Sequence, residues 1–192
     1  MHDAVPATPF DPAVALRAGT RHAHAAMDAA FADGLRDPDD YRRYLRALLA
    51  LAEWLDASWR PGWPAALARW RDPGRVAALR ADLAAQDGEA ADAPAPRAPN
   101  LAAWLGGCYV IEGSAMGARL LVRDLAAHPR TAGRGPARSF LDGHLADPGR
   151  WRRFRQALAG ALAPADVPAA LRGARQGFAL VAAVAEPAEV AA

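Results

Sequence analysis

The stretch AVALRAGTRHAHAAMDAAF, residues 13–31, decides the fold, because its side chains sort into distinct faces when it is coiled into a helix. At 3.6 residues per turn, one narrow sector collects the groups that would face a core, namely Ala13, Leu16, Thr20, Met27 and Phe31. His24 lies at the edge of this sector, whereas His22 lies on the opposite side. The pattern therefore predicts an inward His24 and an outward His22.

Charged residues follow the same flank of this helix. Arg17, Arg21 and Asp28 are each within about one turn of the strip that carries His24. A metal-ligating imidazole usually donates its second ring N–H to an oxygen, and Asp28, four residues on, can supply that oxygen. These residues together predict a site for a ligand that His24 can coordinate and whose negative charge the two arginines can meet. From this helix alone, a half-buried, hydrogen-bonded histidine beside solvated arginines is the favoured interpretation, because a single HxxxD pair arises by chance in many helices.

The composition indicates a single all-α domain. The chain has 192 residues, is dominated by alanine and leucine, and has no long run that alternates with period two. The cations are all arginines, they are scattered, and the net charge is only +2, which gives little support for a nucleic-acid partner. No run approaches the roughly 18 apolar residues of a membrane span, and the one cysteine allows no internal disulfide. We therefore expect a cytoplasmic protein without a membrane partner.

Helical periodicity, Asp-Pro starts and Gly or Pro stops divide the chain into helices. We expect one domain over 1–192, with helices at about 12–32, 38–60, 73–86, from 100 onward, 148–162 and 165–185, and a short piece at 64–70. A surface loop is expected at 87–98, and loose tails at 1–11 and 187–192. The segment 128–145 is broken by Pro and Gly, so we expect a loop there that leaves His128 and His144 at the surface.

The second informative stretch is LAAWLGGCYVIEGSAMGARLLVRDLAAH, residues 101–128. Each glycine in a helix interior loses roughly 0.5 to 1 kcal/mol relative to alanine, yet this stretch has four. Gly113 and Gly117 are one turn apart, and with Ser114 and Ala118 they make a nearly bare face. Such a face suits close approach to a flat, bulky partner, although close packing between two helices is as good an explanation.

An inward histidine on one helix and a bare face on another indicate a planar macrocycle held between them. Both stretches resemble the biliverdin-producing haem oxygenases, particularly the bacterial ones. The resemblance rests on L-R-x-x-T-R-x-x-H-x-x-x-D, from Leu16 to Asp28, and on Y-V-I-E-G-S-A-M-G-A, from Tyr109 to Ala118. The order and the spacing of the two motifs match that family, which implies a single-domain helical bundle.

The resemblance implies a role for each matching residue. His24 would be the proximal iron ligand, and Asp28 would orient its imidazole. The distal helix would supply Gly113, Ser114 and Gly117 as catalytic positions. Ser114 replaces the aspartate of animal members, and Ala118 replaces a glycine, narrowing the distal space by a methyl group. The propionates would meet Arg17, Arg21, Arg123 and Arg155, with Phe178 as a pocket aromatic.

The implied activity is oxidative cleavage of protohaem to biliverdin, carbon monoxide and ferrous iron. Haem b would be both substrate and cofactor, and electrons would come from outside, through a ferredoxin or an NADPH-dependent reductase, since the chain has no dinucleotide fingerprint. A transient electron donor and a bilin-accepting photoreceptor are the implied partners.

Other classes of function predict different features. A haem storage or sensor protein would use the same pocket without turnover, and a helical interaction domain would use the glycines for packing alone. A di-iron bundle is disfavoured because the sequence has no Glu-x-x-His, and a zinc hydrolase because it has no HExxH.

Overall fold

The computed structural model describes residues 10–31, 34–35, 37–90, 95–127 and 137–185, with the backbone alone at 116 and 119–127. The regular secondary structure of these residues is helical, as the composition predicts. The α-helices are α1 (Pro12–Gly19), α2 (Arg21–Ala30), α3 (Pro38–Ser58), α4 (Pro73–Ala84), α5 (Leu101–Ala127), α6 (Ser139–Leu145), α7 (Arg150–Ala161) and α8 (Val167–Ala185). Two short 3₁₀ helices cover Ala65–Trp70 and Pro164–Asp166. In the described part of the chain, no helix has the length and apolar character that crossing a bilayer requires.

Asp-Pro pairs start two of these helices. The Asp11 carboxylate accepts the Ala13 N–H at 2.8 Å, and the Asp37 carboxylate accepts the N–H groups of Asp39 and Asp40 at 2.8 and 2.9 Å. In both cases proline occupies the first helical turn, where its missing N–H costs nothing. The predicted starts at 12 and 38 are confirmed.

The prediction of one uninterrupted helix from 12 to 32 is wrong, because the chain bends at Thr20. This residue has φ −116° and ψ 15°, which ends α1 and begins α2. Its buried hydroxyl donates to the Leu16 carbonyl oxygen at 2.7 Å, an interaction that bends helices. The backbone bond from His24 N–H to Thr20 O, 3.0 Å, carries the hydrogen-bond ladder across the bend.

The core is built on α3, α5 and α8. α8 packs closely on α5, where glycines let the two backbones meet: a Cβ at Gly106 would lie 1.9 Å from Ala170 O, and a Cβ at Gly173 would lie 1.7 Å from Ala103 O. α3 covers the same bundle with a run of buried apolar side chains from Tyr41 to Leu55. This half of α5 is therefore fixed by contact with two long helices.

The segment predicted as a loop at 128–145 contains a helix, α6. The buried Asp82 carboxylate accepts the N–H groups of Ser139 and Phe140 at 3.0 and 2.8 Å, and the Tyr41 hydroxyl donates to Ala137 O at 2.8 Å. The expectation that His144 is a surface residue is therefore wrong: it is only 6% exposed and stacks on Phe140. His128 lies outside the described residues.

The predicted surface loop at 87–98 is anchored where it is described. Trp54 Nε1 donates to Pro96 O at 2.8 Å, and the N–H of the fully buried Ala98 donates to Ser58 Oγ at 2.9 Å. The end of this segment is therefore part of the core, which the Pro and Ala composition did not reveal.

Candidate functional site

His24 lies on α2 between two aromatic rings from the core. Its ring centroid is 4.7 Å from that of Phe178 on α8 and 5.9 Å from that of Tyr109 on α5. The side chain is half-buried, whereas His22 is exposed, which confirms the sequence-based assignment of the two histidines. Phe178 is buried and contacts His24 where the sequence suggested a pocket aromatic.

The protonation of His24 follows from its hydrogen bonds. Nδ1 lies 3.1 Å from both the carbonyl oxygen and Oγ1 of Thr20. A carbonyl can only accept, and the Thr20 hydroxyl proton is donated to Leu16, so both contacts require a proton on Nδ1. Burial lowers the pKa of His24 below its usual value, although the Thr20 bond and the Asp28 charge act in the opposite direction. His24 is therefore neutral near pH 7, with Nε2 as the unprotonated nitrogen.

This arrangement changes the expected role of Asp28. The carboxylate is exposed, and the hydrogen bonds that fix the imidazole come from Thr20. Asp28 influences His24 through its charge alone. The sequence placed the orienting oxygen four residues after the histidine, whereas the structure places it four residues before.

A cationic end adjoins the histidine. Burial raises the pKa of the Tyr109 phenol, and the Arg17 charge and the Thr20 side chain offset part of that rise. Arg17 and Arg21 are exposed at this end, so their guanidinium groups are open to a carboxylate from solvent. A cation beside a phenol O–H is a suitable binding site for carboxylate groups.

The glycines in the middle of α5 face open space. A Cβ at Gly113 would come no closer than 3.9 Å to Trp151, and a Cβ at Gly117 would meet nothing within 4 Å. Gly117 is exposed and Gly113 is half-exposed. Helix packing therefore does not explain these two glycines in the described structure, and the face remains available to a partner.

A buried ion cluster fixes α5 immediately before this open face. Glu112 is 1% exposed, accepts from Arg150 at 2.6 and 2.9 Å, and pairs with Arg75; Arg150 also reaches Asp72 at 2.9 Å. Burial raises the pKa of Glu112, but the two arginines more than offset this effect and hold it below its usual value. The cluster joins α5 to α7 and to the start of α4.

The remaining predicted residues have other surroundings. Arg155 is exposed and pairs with Asp11 at the start of α1, so the structure gives it a partner other than the expected carboxylate ligand. Ala118 is fully buried in the core, so its methyl group does not narrow the open face as expected. The side chain of Arg123 lies outside the described residues.

A cavity of about 520 Å³ lies between α2 and α8, beside the histidine. Its walls are mostly alanine with Met27 and Phe178, and two cations, Arg43 and Arg175, also line it. This volume and apolar lining fall within the usual range for small-molecule sites.

Sequence reasoning missed Thr20, Glu112, Tyr109 and His144. The first three stand inside the two motifs, so their positions were a usable signal. The sequence contains no such signal for His144, because its burial depends on the anchoring of α6 by Asp82.

Comparison with known proteins bears on the fold and the family of the chain. No family model matches the chain. A heme oxygenase from Xanthomonas campestris pv. campestris (strain 8004) is 37% identical over 167 residues, which cover 80% of this chain and 93% of that protein. A crystal structure of the NO- and CO-bound heme oxygenase from Neisseria meningitidis is 23% identical, has a TM-score of 0.66 and covers 92% of this chain and 90% of its own, which shows a shared fold. On the strength of the Xanthomonas relative, the chain belongs to the heme oxygenase family.

Proposed function

We propose that this protein is a haem oxygenase that binds haem b through His24 Nε2, with the macrocycle between α2 and the middle of α5. One observation carries the proposal: the protein fixes Nδ1–H on Thr20, leaving a neutral Nε2 lone pair, and presents a bare glycine face on the facing helix. A neutral imidazole is a common axial ligand of haem iron, and a face without side chains admits a flat ring.

The two ends of the site suit the two ends of protohaem. Arg17, Arg21 and the Tyr109 phenol form a cationic, hydrogen-bonding end for the propionates, where solvent remains accessible. Phe178 and Met27 form an apolar side for the vinyl-bearing edge. This polarity orients the macrocycle in its own plane.

Haem, when bound, supplies both the iron at which dioxygen reacts and the carbon skeleton that is opened to biliverdin, carbon monoxide and ferrous iron. The chain holds the macrocycle and keeps the approach from α5 open. Gly113 and Gly117 offer backbone groups and space there, and Ser114 offers one hydroxyl.

Electrons come from outside the chain. Exposed arginines surround the site on α1, α2 and α8, namely Arg17, Arg21, Arg172 and Arg175. Such a rim favours transient docking of an acidic redox protein of the ferredoxin or reductase type, because complementary charge raises association rates.

Hemin titration followed by reduction under air tests the function. In the wild type we expect a saturable Soret band that decays, as a broad red bilin band grows, once ascorbate or a ferredoxin system is added. His24→Ala should alter the Soret band and abolish bilin formation, and added imidazole should restore the band.

His22→Ala is the matched control, because His22 is exposed on the same helix. It should behave as the wild type. A stable Soret band without bilin would indicate haem storage or sensing, and hemin binding that is indifferent to His24→Ala would overturn the proposal.

A further inference from the structure

A continuous row of aromatic rings connects His24, through α5 and α7, with Trp70. The ring centroids are 5.9 Å apart for His24 and Tyr109, and 5.8 Å apart for Tyr109 and Trp151. The row continues with 5.9 Å between Trp151 and Phe154 and 5.1 Å between Phe154 and Trp70. Each separation is that of rings in direct contact, across which electrons tunnel readily. The row is therefore a path for electrons that begins at the proposed iron ligand.

Trp151 on α7 also borders the open face of α5. Its ring atom Cζ3 lies 3.9 Å from the position that a Cβ at Gly113 would take. The same ring contacts Tyr109, which in turn contacts His24. The indole of Trp151 is therefore reached from the proposed haem site in two ways, across the glycine face and through Tyr109.

Trp151 has better surroundings than Tyr109 for losing an electron. Both side chains can be oxidised by one electron, and each then tends to release a proton. Tyr109 is only 4% exposed, so its phenol has little access to water that could take the proton. Trp151 is half-exposed and lines an open cavity of about 300 Å³, where water can take the indole proton. An electron vacancy that enters the row therefore comes to rest on Trp151.

The far end of the row disfavours the same vacancy. The guanidinium groups of Arg69 and Arg150 lie 5.1 and 5.6 Å from the centre of the Trp70 ring, so positive charge on this ring would be repelled. Trp70 is 2% exposed, and its Nε1 has no hydrogen-bond partner among the groups that the structure describes, so no base is at hand for its proton. Phe154, which separates the two indoles, is much harder to oxidise than either. For an electron vacancy, the row therefore ends at Trp151.

We propose that Trp151 is a redox-protective residue, which returns electrons to the haem site when hydrogen peroxide oxidises that site outside productive turnover. This inference rests on the proposed function. Peroxide takes up two electrons and two protons and leaves as two molecules of water, so the hemin-loaded protein lacks two electrons. Trp151 returns them one at a time. After each transfer the indole proton passes to solvent, and an external reductant such as ascorbate restores the indole with one electron and one proton.

The hemin-loaded protein, treated with hydrogen peroxide under air, tests the inference. Without a reductant the deprotonated Trp151 radical combines with dioxygen, so mass spectrometry of a digest should find oxygen adducts on the peptide that carries residue 151. Electron paramagnetic resonance of a freeze-quenched sample should show a tryptophan radical, and Trp151→Phe should lose this signal. Ascorbate should suppress the adducts and the signal. The apoprotein under the same peroxide should remain unmodified at residue 151.

Trp63 is the matched control within the same sample. It is also half-exposed and also packs edge-on against a ring, that of Trp59, with centroids 5.5 Å apart. In the described part of the chain, its ring contacts are with Trp59 and Trp104, and neither ring touches the row from His24 to Trp70. Trp63 should therefore stay unmodified, and Trp63→Phe should keep the radical signal.

The wild-type digest decides the inference without any variant. Equal oxidation of residues 63 and 151 would show that exposure alone controls the reaction, and it would overturn the role of Trp151 while the proposed function stands. An unmodified Trp151 in hemin-loaded protein would have the same meaning. A wild type without saturable hemin binding would overturn both.

Discussion

The two halves of α5 use glycine for opposite purposes. In the first half, Gly106 meets the backbone of α8, and a Cβ at Gly107 would lie 2.3 Å from the Trp54 ring. In the second half, Gly113 and Gly117 meet almost nothing. The buried ion cluster of Glu112 with Arg75 and Arg150 marks the boundary between them.

This difference shows that the glycines of one helix can have two separate structural roles. The first pair permits the fold, since only glycine at 106 lets the α5 and α8 backbones touch, and a Cβ at 107 would run into the Trp54 ring of α3. The second pair permits a ligand, since it leaves a helix face uncovered at a cost in helix propensity. Substitutions should therefore separate stability from haem binding according to which half they change.

The largest effect should come from Gly106→Ala. A methyl group there would overlap the Ala170 carbonyl, and backbone cannot move aside as a flexible side chain can. Overpacking of this kind should lower the free energy of unfolding by about 3 kcal/mol or more. Urea denaturation of the apoprotein measures this change in the free energy of unfolding. Gly160→Ala, on α7 with open space around it, should not destabilise, and equal stability of the two variants would contradict the close approach of α5 and α8.

An intermediate effect should appear with pH at His144, which lies on α6 beside the second half of α5. Burial lowers the pKa of His144 to about 4, with Arg75 and Arg150 acting in the same direction and Glu112 and Asp72 opposing it. Because the unfolded chain takes up the proton first, stability should fall as pH drops from about 6.5 towards 4, by roughly 2 to 3 kcal/mol. His144→Gln should remove this part of the pH dependence of unfolding.

His22→Gln provides the comparison for that measurement, because His22 is exposed. It should retain the wild-type loss of stability in acid. If His144→Gln and the wild type lose the same stability between pH 7 and pH 4.5, His144 is not buried as described.

The smallest effect on stability, and one of opposite sign, should come from Gly117→Ala. No atom lies within 4 Å of the added methyl group, so the gain in helix propensity should stabilise the apoprotein by about 0.5 to 1 kcal/mol. The same methyl group should weaken hemin binding in an absorbance titration. Gly160→Ala should give a similar gain with unchanged hemin affinity; if Gly117→Ala binds hemin as tightly, the bare face is not a ligand surface.

Local sequence patterns predicted most of the fold. Aspartate-proline starts, apolar periodicity and length gave the helices from 38, 73 and 101 onward and the all-α class. The bend at Thr20 and the α6 helix were not predictable, because each depends on partners elsewhere: Thr20 bonds back to Leu16, and α6 is held by Asp82, 57 residues before its first residue.

The site was predicted in part. The motifs located His24 and the open glycines, since ligand type and helical spacing can be read along one helix. Phe178 lies in neither motif and was suggested only by the resemblance to the family. The orientation of His24 was assigned to Asp28, and His144 was expected at the surface. Both errors have one cause, because hydrogen-bond direction and the anchoring of α6 by Asp82 appear only when helices are packed.

The hydrogen bonds between Thr20, at the bend, and His24 have an electronic consequence. A proximal imidazole whose N–H is shared with a carboxylate gains anionic character and donates strongly to the metal, whereas one that shares it with a carbonyl and a hydroxyl stays a neutral, weaker donor. With Thr20 in place of Asp28 as the partner of Nδ1, iron bound at Nε2 would have a higher reduction potential. The proposed site would then accept electrons from carriers of only moderate reducing power.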